Sequence, residues 1–292
     1  MPMTRMEVRR AGRRAGRSVV GAVNHAGMTM ALVALLFFPM LSAAGAEEFP
    51  LRDKYAAIGI AAIETAELAD SLASFTVVDA RSSYEYETLH IKDAHSVPLA
   101  LSAFNALVVS LADSTGRPLV FYCNGVTCAV SYKAALKARE AGVPDVRVYD
   151  AGIFAWAQAY PEQTVLLGEP LESADRLIAD EEFEAHLLTE NAFYARIAAS
   201  AEPLIIDIRN REQRQGVSLF QMRDRHIPLS SDNHELEALV QAAIREERPI
   251  LFFDATGKQV RWLQYYLKAQ GAEDYWFLEG GARALYQSMG IN

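Results

Sequence analysis

The chain has 292 residues, 51% of them hydrophobic and 22% charged, with a formal net charge of −9. That length suits two domains of ordinary size, and the composition is that of a folded chain and excludes a disordered one. The first 46 residues stand apart: six arginines, one acid, the apolar run "MTMALVALLFFPML" and then "SAAGA". A basic segment, a short apolar segment and an A-x-A end predict a secretory signal peptide over residues 1–46, cut at "AGA|EE". The apolar run is short and is broken by Pro39, so the expectation is export to the periplasm with no stable membrane insertion after cleavage. The rest of the chain carries 22 basic and 36 acidic residues, a formal charge of −14. This surplus argues against nucleic acid and against an anionic membrane surface as partners.

After the signal, Thr65 reads as the N-cap of a helix through Leu72. "FTVVDAR" reads as a buried strand ending at Asp79, and residues 82–118 as two short helical patterns with a loop near Pro98. "PLVFYC" is the next strand, and "AVSYKAALKAREAG" a helix ended by Gly142. "VRVYDAG" is a strand, and "IFAWAQAYP" a helix stopped by Pro161. Strands alternating with helices at this spacing predict an α/β fold on an open, mostly parallel sheet flanked by helices. "LLGEPLES", residues 166–173, reads as a linker. Beyond it the first half returns in altered form. "VVDAR" at 77 becomes "IIDIR" at 205, "SVPLA" at 96 becomes "HIPLS" at 226, and "RPLVFYC" at 117 becomes "RPILFFD" at 248. An offset held between 128 and 131 positions predicts an internal duplication, with domains at 47–165 and 174–292.

Both cysteines lie in "FYCNGVTCAVSYK", Cys123 at a strand end and Cys128 just before a helix. A bridge closing so short a loop gains little on the chain-entropy model. Two thiols are too few for zinc without histidines, and His90 and His95 have no ligand spacing to them, so no metal and no cofactor is expected. A strand end followed by a glycine-bearing loop and a helix start is where backbone N–H groups converge on an anion. A thiolate at Cys123, held by the loop Asn124, Gly125, Val126, Thr127 and Cys128, would be such an anion. A cysteine buried at a strand end is the alternative reading of Cys123. Cys128 reads equally as a resolving thiol, a disulfide partner or a small buried residue. A strand-end pair such as Asp79 and Arg81 usually fixes a loop, and Trp156 reads as core.

"VVDARSSYEYETLHIKDAHSVPL", "FYCNGVTC" and "VYDAGIFAW" resemble a rhodanese domain over nearly all of residues 57–161. The resemblance over 174–292 rests largely on the internal match. It implies a sulfurtransferase in which Cys123 takes sulfane sulfur from a small donor such as thiosulfate, polysulfide or a persulfide. The sulfur is held as a Cys123 persulfide and passed to cyanide or to a thiol acceptor, a protein thiol included. Residues 124–128 become the sulfur cradle, and Asp79, Arg81 and Lys133 supporting residues. Many rhodaneses carry an arginine at the last loop position, where this chain has Cys128, and Lys133 lies a turn further on. That departure weakens thiosulfate as the preferred donor. It also disfavours the phosphatase relatives of the fold, whose longer loop ends in an arginine fork. In the second half Asp254 stands where Cys123 stands, so that half is expected to be a degenerate copy with a reduced cradle. A binding or scaffold protein on the same fold, and a Cys123/Cys128 redox protein, are the alternative readings.

Overall fold

The computed structural model describes residues 49–215, 218–220, 223–230 and 233–291; the expected signal peptide at 1–46 lies outside the described residues. The strands are β1 Ala61–Ala62, β2 Thr76–Asp79, β3 Leu89–Ile91, β4 His95–Ser96, β5 Leu119–Tyr122, β6 Val146–Tyr149, β7 Thr164–Leu166, β8 Glu169–Pro170, β9 Leu187–Leu188, β10 Leu204–Asp207, β11 Asp224–His226, β12 Ile250–Phe253 and β13 Tyr275–Leu278. The helices are α1 Arg52–Ala56, α2 Thr65–Asp70, α3 Ser83–Thr88, α4 Phe104–Thr115, α5 Val130–Glu140, α6 Gly152–Ala159, α7 Asp180–Glu184, α8 Glu190–Ala199, α9 Arg211–Arg214, α10 His234–Arg245, α11 Val260–Ala269 and α12 Gly281–Ser288.

Two five-stranded sheets organise the chain. The first runs β1-β6-β5-β2-β4 and the second β9-β13-β12-β10-β11, so strands of equal rank take equal places. Every pairing within them is parallel. The central strands β2, β5, β10 and β12 are buried along their whole length. That is why they read as unbroken apolar runs: helices cover both faces of a parallel sheet, and no solvated face imposes alternation. The fold is thus α/β with two open parallel sheets flanked by helices.

Local details differ from the sequence expectations for identifiable reasons. Thr65 does not cap α2: the N-cap is Glu64, and the Thr65 hydroxyl pairs with the Tyr149 hydroxyl at 3.2 Å. The helix ends at Asp70 and gives way to a 3-10 turn at Leu72–Ser74. The stretch 82–118 does hold two helices, α3 and α4, but β3 and β4 lie between them. Strands of three and two residues are too short to show a period. The first part of the expected linker forms a hairpin, β7–β8, which joins β3 in a small antiparallel sheet. Gly142, at φ +103, ends the last turn of α5 as read.

One apolar cluster runs through both halves, from Val77, Tyr84 and Trp156 to Phe252, Leu263 and Phe277. Where the halves touch, Phe154 of α6 stacks on Trp262 of α11 at 5.1 Å between centroids.

Candidate active site

Cys123 follows the last residue of β5, and Val130 opens α5. Topology therefore places the loop between them at the carboxyl edge of the first sheet. The Cys123 sulfur is buried, and its thiol donates to the Cys128 carbonyl oxygen at 3.2 Å and accepts from the Ser131 hydroxyl at 3.3 Å. The thiol of Cys128 is half-buried, and neither cysteine is in a disulfide.

Helix α5 has no side-chain cap, so its leading amides need other partners. The Ser131 N–H favours the charged form of Cys123, and the N–H groups of Asn124 and Val130 favour that of Cys128. Together with the Cys123 thiol, these donors pull the Cys128 thiol down to about 6. Burial, and the thiolate of Cys128 beside it, push Cys123 up. Within the pair, Cys128 is thus the thiol pulled down and Cys123 the thiol pushed up.

This division has a measurable consequence. A thiol with a lowered pKa is a thiolate above that pKa and loses reactivity as pH falls through it. Brief iodoacetamide exposure followed by peptide mapping is expected to show Cys128 modification climbing through about pH 6 and then levelling, with Cys123 modified far more slowly across the neutral range. Cys123→Ala removes the donating thiol and should move the Cys128 midpoint upward. A wild-type midpoint in the ordinary cysteine range would contradict the assignment.

A polar network fixes one wall of the loop. Arg81 Nε bonds Asp79 Oδ1 at 2.9 Å and Arg81 Nη2 bonds Oδ2 at 2.6 Å, a two-pronged pair with both residues buried. The same guanidinium donates to the Leu89 carbonyl at 2.6 Å and to Asn124 Oδ1 at 3.3 Å. Asn124 Nδ2 then donates to Glu85 Oε1 at 3.0 Å, and the other Glu85 oxygen accepts from Ser82 in the capping box of α3. Asp79 and Arg81 therefore reach the loop only through Asn124. Val126 is half-buried and Thr127 exposed at the loop's tip, and Lys133 is exposed on α5. His90 stacks on Tyr86, with its ring pKa lowered by burial, and Trp156 lies in the core.

The opposite wall is Gly152, the first residue of α6. A Cβ there would lie 2.4 Å from the Gly125 nitrogen and 2.6 Å from the Asn124 carbonyl carbon, and φ is +78. The next residue, Ile153, donates its N–H to the Cys123 carbonyl at 3.0 Å. Sequence reasoning missed Gly152 and Ser131 as site residues. The recurrence of "AG" in "YDAGIF" as "GG" in "LEGGARA" carried the signal for the first; a lone serine one turn into a helix carries almost none.

The second half repeats this construction with another occupant. Asp254 follows β12, is buried, and accepts at Oδ1 from the N–H groups of Thr256 (2.8 Å) and Gly257. Its Oδ2 accepts from the Gln259 N–H at 2.5 Å. Asp207 and Arg209 form the buried pair corresponding to Asp79 and Arg81. Ala282 donates to the Asp254 carbonyl as Ile153 does to Cys123. The expectation of a reduced cradle holds in length, since residues 254–259 are one fewer than 123–129, but the amides still converge, and on a carboxylate.

An open parallel α/β sheet with a cysteine loop at its carboxyl edge, backed by a strand-end aspartate–arginine pair, defines the class of site. Residues 64–159 match the model of the rhodanese-like domain family. Over 85 residues, 29% of the chain, it is 38% identical to the HTH-type transcriptional regulator Rv0324 of Mycobacterium tuberculosis; the match spans 35% of that regulator's length. Among solved structures, thiosulfate sulfurtransferase from Pseudomonas aeruginosa is similar with a TM-score of 0.37 and 18% identity, over 80% of this chain and 43% of the other. The rhodanese-like domain of the Anabaena protein Alr3790 is similar with a TM-score of 0.30 and 24% identity, over 37% of this chain and 80% of the other.

Proposed function

We propose that the first half, residues 47–165, is a sulfurtransferase domain that carries sulfane sulfur on Cys123. The family is of sulfurtransferase type at the level of its domain. The observation that carries the reading is the position of Cys123, directly after β5 in the loop that leads into α5 and within the residues that match the family. The Cys123 thiol loses its proton to solvent, and the resulting thiolate attacks the outer sulfur of the donor. For a persulfide donor, a Cys123 S–S bond forms, the donor's S–S bond breaks, and the donor leaves as a thiolate. Attack on the terminal sulfur by cyanide or a thiol returns the Cys123 thiolate. The loop itself carries no cation, so persulfides and polysulfides suit it better than the sulfonate end of thiosulfate. The proposed acceptor is a small or protein thiol.

The second half, residues 174–292, is proposed to be a non-reactive copy of this domain, since a carboxylate cannot carry sulfane sulfur. The proposed location is the periplasm, on the signal-like character of residues 1–46. The activity is tested by following thiocyanate formed from cyanide with polysulfide, glutathione persulfide or thiosulfate. Turnover lost in Cys123→Ser supports the reading; turnover that survives it, or none with any donor, overturns it.

A second reading is favoured by the mutual influence of the two thiols, each of which shifts the other. Once Cys123 holds a persulfide, the Cys128 thiolate attacks its inner sulfur, the Cys123–Cys128 disulfide forms, and the outer sulfur leaves as hydrosulfide. The protein then acts as a thiol–disulfide centre until a second thiol reduces it. Sulfide release in one turnover, lost in Cys128→Ser while loading persists, separates this path from transfer to an external acceptor.

A further inference from the structure

Helix α11 belongs to the second half, yet it packs on the elements that hold the Cys123 loop. The ring of Trp262 lies 4.9 Å from the Arg81 guanidinium carbon and stacks on Phe154 of α6. Arg81 is otherwise bound to Asp79, Leu89 and Asn124, and its carbon is 5.5 Å from the Tyr122 ring. The Trp262 face is thus the contact between Arg81 and the second half, on a guanidinium whose remaining donor goes to the loop residue Asn124. Trp262 is itself buried, and α11 is anchored at both ends. At the start, the Asp254 carboxylate accepts from Gln259, its N-cap. Further along, Arg261 pairs with Asp180 at 2.6 Å and lies over Phe154, and Lys268 pairs with Glu182. A buried ring beside a desolvated guanidinium favours one placement of that group.

We infer that Trp262 is a positioning residue for the Cys123 loop: through Arg81 and Asn124, the second half sets the order of the site in the first. It touches no reacting atom and acts by restricting where Arg81 can aim its Nη1. Loss of the ring leaves Arg81 paired with Asp79 but frees its outer nitrogen, and Asn124 then holds only Glu85. The inference rests on the proposed site but is read without sulfur transfer.

The test is alkylation of the buried Cys123, mapped by peptide mass in the full chain, for wild type, Trp262→Met and Trp262→Phe. Methionine fills the space without a ring, and phenylalanine keeps a π face. Trp262→Met is expected to raise the Cys123 alkylation rate by on the order of tenfold, the size of coupling found between residues in contact. Trp262→Phe is expected to remain near wild type. The effect of Trp262→Met is expected to shrink in an Asn124→Ala background, because the route through Asn124 is already cut. A Trp262→Met protein with a lower melting temperature and an unchanged Cys123 rate would overturn the inference, as would equal effects in both backgrounds. If Trp262→Met does not fold, the Phe variant decides: a Cys123 rate raised as much as by Asn124→Ala overturns the role of the ring, and a wild-type rate that still responds to Asn124→Ala upholds it. Absence of sulfur uptake by the wild type would sink the sulfurtransferase reading and leave this result standing.

Discussion

Gly152→Ala is expected to lower the melting temperature by roughly 5–15 °C and to abolish sulfur loading. Two effects add. The backbone at Gly152 has φ +78, where a side chain costs about 1–2 kcal/mol. The new methyl would also sit 2.4 Å from the Gly125 nitrogen, a backbone atom that moves only if the loop moves. Overpacking of this kind adds about 1–3 kcal/mol, and each kcal/mol is worth about 2–4 °C in a domain of this size. Because the clash falls on Asn124 and Gly125, relaxation displaces the loop that carries Cys123. Gly281→Ala is the matched variant, with its Cβ 2.6 Å from the Asp254 carbonyl oxygen and 2.7 Å from the Gly257 nitrogen. It should destabilise similarly and spare more of the sulfur loading. Circular dichroism melts and mass measurement of sulfur uptake check both. A Gly152→Ala protein that melts and loads like wild type would show that the α6–loop contact is looser than described.

Asp254→Ala is the second large effect. The carboxylate satisfies three backbone N–H groups in a loop that carries no other acceptor at their centre. Removing it leaves three half-buried donors without the carboxylate, at about 1–3 kcal/mol each less what entering water restores, so a net loss of about 2–5 kcal/mol is expected. The vacated nest is an anion site. Added sulfate should therefore stabilise Asp254→Ala more than it stabilises wild type, the excess rising with concentration as mass action requires. The comparison with wild type is essential, since sulfate strengthens apolar burial in any protein. Asp254→Asn keeps one acceptor oxygen and should lose less. Equal sulfate responses in mutant and wild type would mean that the amides do not form an anion site once the carboxylate is gone.

Much of this architecture was legible in the residues. The buried strands "VVDA" and "LVFY" announced a parallel sheet because both faces are covered, and the duplicated offsets anticipated a second sheet of the same strand order. The pair Asp79–Arg81 was legible as a loop-fixing ion pair, since a strand-end aspartate two residues from an arginine has few other partners. The short strands β3, β4, β7 and β8 were not legible, because two or three residues are fixed by their neighbours and not by their own pattern. The site was half legible. Position and residue type pointed to Cys123, but the side-chain rotamer was hidden, and it turns the thiol toward Cys128 and Ser131. Trp262 was out of reach, because its contact with Arg81 crosses from one half to the other.

The most direct measurement is the intact mass of the reduced, full-length protein after one exposure to a persulfide donor, with the position of any added sulfur mapped by peptide. A gain of one sulfur atom on the Cys123 peptide is the predicted result, retained in Cys128→Ser and lost in Cys123→Ser. Addition to Cys128 that persists in Cys123→Ser, or no addition with any sulfane donor, would contradict the account.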